Sequence, residues 1–332
     1  MPHQPPDSAN GSRGSKRYRV NRGSMLPGDI YGQPDAPDPV LDERTVLNLV
    51  RRHVPRCSAI TGIDESGGEA RVYMIDDGLI LKVQRPHQLR ARTSLEKEAF
   101  FLGQLAEHPD IVVPEVLGYD RDGSIEYTLM TRMRGVSALS VELEGAARAN
   151  VLHQLGRTMR RIHSIPQDQF FSISLFLGHR TRLEFHQAVR DGLATAVQVI
   201  DDNPDLWPTS IPPADLALKV VVSITESVDL VALHSNPGPI HTFVNPDTLA
   251  FVGIIDFGDA YISHPGLDWR WPTHEDSLAI LRGYCDEEPV TDEFMMVWRA
   301  ALVLNDMLAL ATRPDRRSQA QESLRSLLAT LE

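Results

Sequence analysis

Three charged residues of this 332-residue sequence sit where the hydrophobic pattern argues against them. Lys82 interrupts the apolar run Leu79-Ile80-Leu81-Lys82-Val83, and Glu98 shares a helical face with Leu95, Leu102 and Leu105. Asp256 ends the run Phe251-Val252-Gly253-Ile254-Ile255 and is followed by Phe257-Gly258-Asp259. A carboxylate inside a buried stripe needs a cation, and an ion pair with Glu98 would orient Lys82. An ammonium held in this way can reach the α and β phosphates of a nucleotide. A carboxylate delivered at a strand exit is a hard oxygen ligand suited to magnesium. These are the parts that phosphoryl transfer uses, because that reaction depends on positioned positive charge and on alignment more than on covalent help. A strand lysine alone is ordinarily a solvated edge residue and a helical glutamate a boundary residue, so the ordered combination carries the reading.

The elements that must position these groups are legible from period and punctuation. A short helix after Asp38-Pro39 or Asp42 carries the stripe Val46, Leu49, Val50. Gly67 and Gly68 precede the strand Arg71-Val72-Tyr73-Met74-Ile75, Asp76-Asp77-Gly78 makes a turn, and the Lys82 strand returns. This is a glycine-flanked antiparallel hairpin, with Gly67 and Gly68 as candidate nucleotide-contacting positions. Ser94 caps the Glu98 helix. A second hairpin turns at Asp120-Arg121-Asp122-Gly123 and runs out from Ile125 to Met133, ending at Arg134-Gly135. From about residue 143 helical periods dominate, at 146–163, 182–200 and 214–229, the last with Leu216, Val220, Ile224 and Val228 inward. Residues 230–257 alternate short strands with a Pro/Gly loop, and helices resume near 273–284, 291–311 and 316–330. The fold class expected is α+β and two-lobed: a small antiparallel-sheet N-lobe over 41–135 that binds nucleotide, and a mainly helical C-lobe over 136–332 that holds the catalytic and metal-binding loops. Residues 1–40, rich in Pro, Ser, Gly and Asn, read as a disordered tail with a basic patch at Arg13, Lys16, Arg17, Arg19 and Arg22.

Composition narrows the partners. A formal net charge of -12 and a pI near 5.5 argue against nucleic acid, which needs a basic face. Cys57 and Cys285 are the only cysteines and lack metal-finger spacing, so neither a disulfide framework nor a zinc site is indicated and a cytoplasmic setting is expected. No run approaches the roughly 18 consecutive apolar residues of a membrane span, so no membrane partner is expected. A small-molecule acceptor remains. The acidic stretch Asp286-Glu287-Glu288, with Asp292 and Glu293, raises the expectation that this acceptor is cationic.

The stretches LEKEAFFLGQL, YTLMTRMRG, LGRTMRRIHSIP and above all GIIDFGDAYISHPGLDW resemble the aminoglycoside phosphotransferase family over about residues 42 to 312. That family shares its protein-kinase-like architecture with choline kinases and homoserine-kinase-like enzymes. The resemblance implies an ATP-dependent kinase of small hydroxylated molecules in which Lys82 and Glu98 form the ion pair. It makes Thr131 to Met133 the hinge that meets adenine, Asp256 the principal Mg2+ ligand, and Asp268 a structural acidic position.

One segment departs from the pattern. Family members typically read His-Gly-Asp, four further residues, then Asn, with the Asp as base and the Asn as metal ligand. Here the segment is HSNPGPIH, so His234 fits, Asn236 stands at the base position and His241 at the metal Asn. An amide oxygen is not basic at neutral pH, and general-base help is worth about 100- to 10,000-fold. Imidazole is a poor magnesium ligand, so His241 implies a missing second metal, a softer ion such as Mn2+, or a role in proton transfer. Three readings stand open: a small-molecule kinase with an unusual catalytic loop, a non-catalytic nucleotide-binding pseudokinase with a protein partner, and another transfer from ATP such as adenylylation.

Overall fold

The computed structural model describes residues 40–65, 67–85, 94–224, 229–269 and 271–329. The tail expected over residues 1–40 falls almost wholly outside these, as does Val228.

Asp42 opens the first helix, α1 (Glu43–Arg51), by accepting a hydrogen bond from the Thr45 amide at 2.8 Å. Its apolar stripe, Val46, Leu49 and Val50, is fully buried against an antiparallel sheet. That sheet has the order β1-β2-β3-β5-β4, built from β1 (Ile60–Asp64), β2 (Ala70–Ile75), β3 (Leu79–Gln84), β4 (Val116–Asp122) and β5 (Ile125–Thr131). Strand alternation divides its residues between two faces. Tyr73, Ile75, Leu81, Val83, Tyr127 and Leu129 pack under α1, which puts Ile80, Lys82, Thr128 and Met130 on the opposite face. There α2 (Leu95–Leu105) crosses, capped by Ser94, whose Oγ accepts from the Lys97 amide at 3.0 Å. The edge strand β1 has no counterpart in the sequence reading. Its run Ile-Thr-Gly-Ile-Asp is short and largely exposed, so it offers little hydrophobic period to detect.

Beyond β5 the chain passes Gly135, whose φ of 84° and close approach to the Val244 carbonyl both exclude a side chain. It then enters β6 (Val136–Ser137) and the helical part. Helix α3 (Gly145–Ser164) buries Val151, Leu152, Leu155, Met159 and Ile162, each such side chain worth about 1.5–3 kcal/mol relative to exposure. Its close crossing with α7 (His274–Tyr284) depends on Gly283, where a Cβ would fall 1.8 Å from the His153 carbonyl oxygen. Helices α4 (Asp168–Ser172), α5 (Arg182–Asp201), α6 (Pro213–Ser223), α8 (Asp292–Thr312) and α9 (Arg317–Ala329) complete it. The expected helix at 214–229 stops at Ser223, although Ile224 beyond it is still buried. Among the described residues α8 is the one helix long and apolar enough to cross a membrane by length and composition. Core packing accounts for that apolarity, since Val297, Trp298, Ala301, Met307 and Leu310 are all buried.

Two small sheets sit against α3 and carry the loops of interest. In one, β7 (Val231–Leu233) pairs with β10 (Tyr261–Ser263); in the other, the order is β6-β8-β9, with β8 at Thr242–Val244 and β9 at Phe251–Ile254. The loop 234–241 joins β7 to β8 and the turn 255–260 joins β9 to β10, so strand pairing sets the two side by side.

Candidate active site

Lys82 lies between Val72 and Thr128 in the register of the sheet, on the face toward α2. Its Nζ donates to Glu98 Oε2 at 2.7 Å and Oε1 at 3.0 Å, and to Asp256 Oδ1 at 2.9 Å. Glu98 is 1% exposed, so the carboxylate read as a misfit in an apolar stripe does meet its cation. The turn bearing Asp256 is fixed from three directions. Phe257 is fully buried against Phe101 of α2 and the ring of His234, at centroid distances of 4.8 and 4.5 Å. The Ser94 amide donates to the Gly258 carbonyl at 3.3 Å, and Asp256 itself holds a φ of 74°. Such a backbone in a non-glycine residue costs about 1–3 kcal/mol and persists where its surroundings dictate it.

The second oxygen of Asp256 faces His241, with Nε2 at 3.1 Å from Oδ2. The other ring nitrogen, Nδ1, lies 2.7 Å from the Asn236 carbonyl oxygen. Both neighbours accept hydrogen bonds, an arrangement that favours the doubly protonated ring. Burial works against that charge, yet the Asp256 carboxylate overcomes it and raises the His241 pKa above its ordinary value. Burial likewise favours a neutral Asp256, but Lys82 and His241 hold its carboxyl well below the usual range.

His234 is fully buried and committed on both nitrogens. Nε2 donates to the Ile255 carbonyl at 2.9 Å, Nδ1 accepts from the Asn236 amide at 3.2 Å, and burial depresses its pKa. No atom of the ring is left for a substrate. Below it Asp268, with no exposed surface, accepts from the His234 amide at 2.7 Å and the Ser235 amide at 2.5 Å. His163 Nε2 stands 3.1 Å from the same carboxylate, and its Nδ1 3.1 Å from the Tyr284 hydroxyl. Trp271 Nε1 donates to the Pro237 carbonyl at 2.9 Å from the other side. His163 and Trp271 were not singled out in the sequence; His163 lies within the stretch LGRTMRRIHSIP, where its place after Ile162 on a buried helical face was the available signal. The side-chain amide of Asn236 is half-buried and makes no hydrogen bond among the described residues.

At the hinge, Thr131 is occupied. Its amide donates to the Glu115 carbonyl at 2.9 Å and its Oγ1 accepts from the Glu115 amide at 2.8 Å. The Arg132 amide is bonded to Gly78 at 2.7 Å, which leaves the Met133 amide as the hinge donor without a partner among the described residues. Gly67 and Gly68 lie in the connection from β1 to β2.

This arrangement brings Lys82, Glu98, His241 and Asp256 together where the antiparallel sheet meets the loops of the helical body. A model for the phosphotransferase enzyme family (APH) matches residues 60–293, well over half of the chain. The chain belongs to that family.

Solved structures agree on the fold, which is that of protein kinases. The GDP complex of aminoglycoside 2'-phosphotransferase-IIIa superposes with a TM-score of 0.58 at 15% identity, over 88% of this chain and 100% of that one. The macrolide 2'-phosphotransferase MphH from Brachybacterium faecium gives 0.54 at 20% identity, over 84% and 97%. The streptomycin–ATP ternary complex of APH(2")-IIa gives 0.53 at 14% identity, over 88% and 97%. A search of the curated proteins finds no match. The family model stops at the first turn of α8, short of the residue 312 reached by the sequence resemblance.

The acidic stretch has a structural occupation. Glu287 Oε1 accepts from Arg157 at 3.0 Å and Arg161 at 2.7 Å, and Glu288 accepts from Arg160 at 2.8 Å, all from α3. Asp292 and Glu293 form the first turn of α8, where the helix dipole favours anions. Glu287 and Glu288 therefore offer no unpaired carboxylate to a cationic acceptor.

Proposed function

We propose that this phosphotransferase-family chain binds a purine nucleoside triphosphate in the cleft and transfers its terminal phosphoryl group, slowly, to a hydroxyl of a small molecule. The observation that carries the reading is Lys82 Nζ, held at 2.7 Å from Glu98 and 2.9 Å from Asp256, because a retired site has no need to keep a buried lysine between two carboxylates. Lys82 meets the α and β phosphates, the Met133 amide meets the purine edge, and the backbone near Gly67 and Gly68 covers the phosphates. The acceptor hydroxyl oxygen attacks the γ phosphorus as the bond to the bridging oxygen of the leaving diphosphate breaks, and the hydroxyl proton goes to water. Asn236 orients that hydroxyl by accepting its hydrogen bond. It cannot take the proton, so turnover runs about 100- to 10,000-fold below that of a site with a carboxylate base. Antibiotic and nucleotide names in the structurally similar proteins, with streptomycin and ATP together in one of them, support a hydroxylated small molecule as acceptor.

A second reading, a nucleotide-binding regulator without catalysis, is favoured by Asn236 and His241 at the base and metal positions. Calorimetric titration with ATP and with GTP, on wild type, Lys82→Ala and Asp256→Ala, with phosphate release followed in the same samples, separates them. Binding that Lys82→Ala abolishes, with slow turnover raised by an acceptor, supports transfer. Binding without turnover across an acceptor panel supports the regulator, and no binding at all overturns both.

A further inference from the structure

We propose that nucleotide binding by this chain needs no divalent cation, because the ring of His241, a poor magnesium ligand, occupies the outer face of Asp256. The inference rests on the cleft being a nucleotide site. The magnesium implied by the family meets a poor fit here. Both oxygens of Asp256 are engaged by cations, Oδ1 by Lys82 at 2.9 Å and Oδ2 by His241 at 3.1 Å. His241 is steered into that contact from behind, since its Nδ1 donates to the Asn236 carbonyl at 2.7 Å and turns Nε2 toward the carboxylate.

Pairing leads to the same conclusion, since each oxygen of Asp256 already has a nitrogen partner. With asparagine at 241, Oδ2 would lose the imidazole and be open to a dication. A cation placed on Oδ2 must first displace the His241 ring and then sit close to Lys82. A triphosphate that binds without metal meets Lys82 and His241 already positioned and costs no metal dehydration.

The test is calorimetric titration of the full chain with ATP in EDTA, in Mg2+ and in Mn2+, on wild type and on His241→Asn, with circular dichroism to show that the variant is folded. For wild type, the ATP Kd in EDTA is expected within about 3-fold of the Kd in Mg2+; in His241→Asn, removal of metal is expected to weaken ATP binding by about 10-fold or more, a tenfold change being 1.4 kcal/mol. Mn2+ added without nucleotide, followed by electron paramagnetic resonance, is expected to stay free with wild type and to bind the variant. Wild type that binds ATP only with Mg2+ or Mn2+ overturns the inference and leaves the nucleotide site standing. Absence of ATP binding under every condition removes the nucleotide site itself. The wild-type comparison decides the matter even where the variant does not fold.

Discussion

Asp268 accepts the amide hydrogen of Ser235 at 2.5 Å while Ser235 holds a φ of 80°, so a buried carboxylate fixes a left-handed backbone at the mouth of the loop 234–241. The family pattern has glycine at this place, and the cost of a Cβ there, about 1–2 kcal/mol, is borne by the native chain. Glycine would remove that strain and return about 0.5–1 kcal/mol of it as extra unfolded-chain entropy. Ser235→Gly is therefore expected to raise the stability read from urea unfolding, by about 0.5–1 kcal/mol, without altering the slope of the transition. A lower midpoint would show that the Ser235 side chain contributes more than its backbone costs.

The Lys82–Glu98 pair makes a different kind of prediction. With Glu98 1% exposed, Lys82→Met leaves a buried carboxylate facing a methyl group, and breaking a buried pair in this way costs about 3–5 kcal/mol. Lys82→Met with Glu98→Gln removes both charges and is expected to be the more stable of the two variants, although it has one substitution more. Unfolding of the two single variants and the double completes the cycle. A double variant no more stable than Lys82→Met alone would mean that the pair does not act as a unit in the folded protein.

Much of this could be read from the sequence because charges out of place are a strong signal. Lys82, Glu98 and Asp256 announced themselves by breaking hydrophobic runs, the cap at Ser94 stands where punctuation put it, and of the two starts offered for α1 the chain takes Asp42. What could not be read was pairing at a distance. Nothing near Glu287 in the chain indicates that its partners are Arg157 and Arg161, roughly 130 residues away. His241 shows the same limit. Its residue type raised doubt about a metal, but only the fold places its two nitrogens between the Asn236 carbonyl and the Asp256 carboxylate. Strands β1, β6 and β10 were missed for a third reason, being short segments held by their neighbours rather than by a period of their own.

Pairing with α3 sets the expectation for the acidic stretch. Glu287→Gln with Glu288→Gln breaks three exposed contacts with arginines, and exposed pairs of this kind contribute little and are screened by salt. The variant is expected to lose a little thermal stability in dilute buffer, none in high salt, and no affinity for any acceptor that wild type binds. A salt-dependent fall in acceptor affinity would restore the acidic stretch as a binding surface.

Asp306 of α8 gives the pH prediction. Its Oδ2 is buried with no hydrogen-bond partner among the described residues, and burial, only partly opposed by the Ser323 hydroxyl of α9, pushes its pKa up to about 7. The unfolded chain titrates this group near the ordinary carboxylate value, so between the two values the folded protein binds more protons than the unfolded one. Stability from the neutral form is then fully present below the unfolded value and is lost as pH rises through about 7. Asn is nearly isosteric and never ionises. Asp306→Asn is therefore expected to match wild type in acid, to gain on it steadily as pH rises, and to keep a constant advantage above about pH 8, as measured by thermal unfolding across that range. A difference between the two proteins that does not change with pH would show that Asp306 titrates as an ordinary carboxylate and that the α8–α9 contact is open to water.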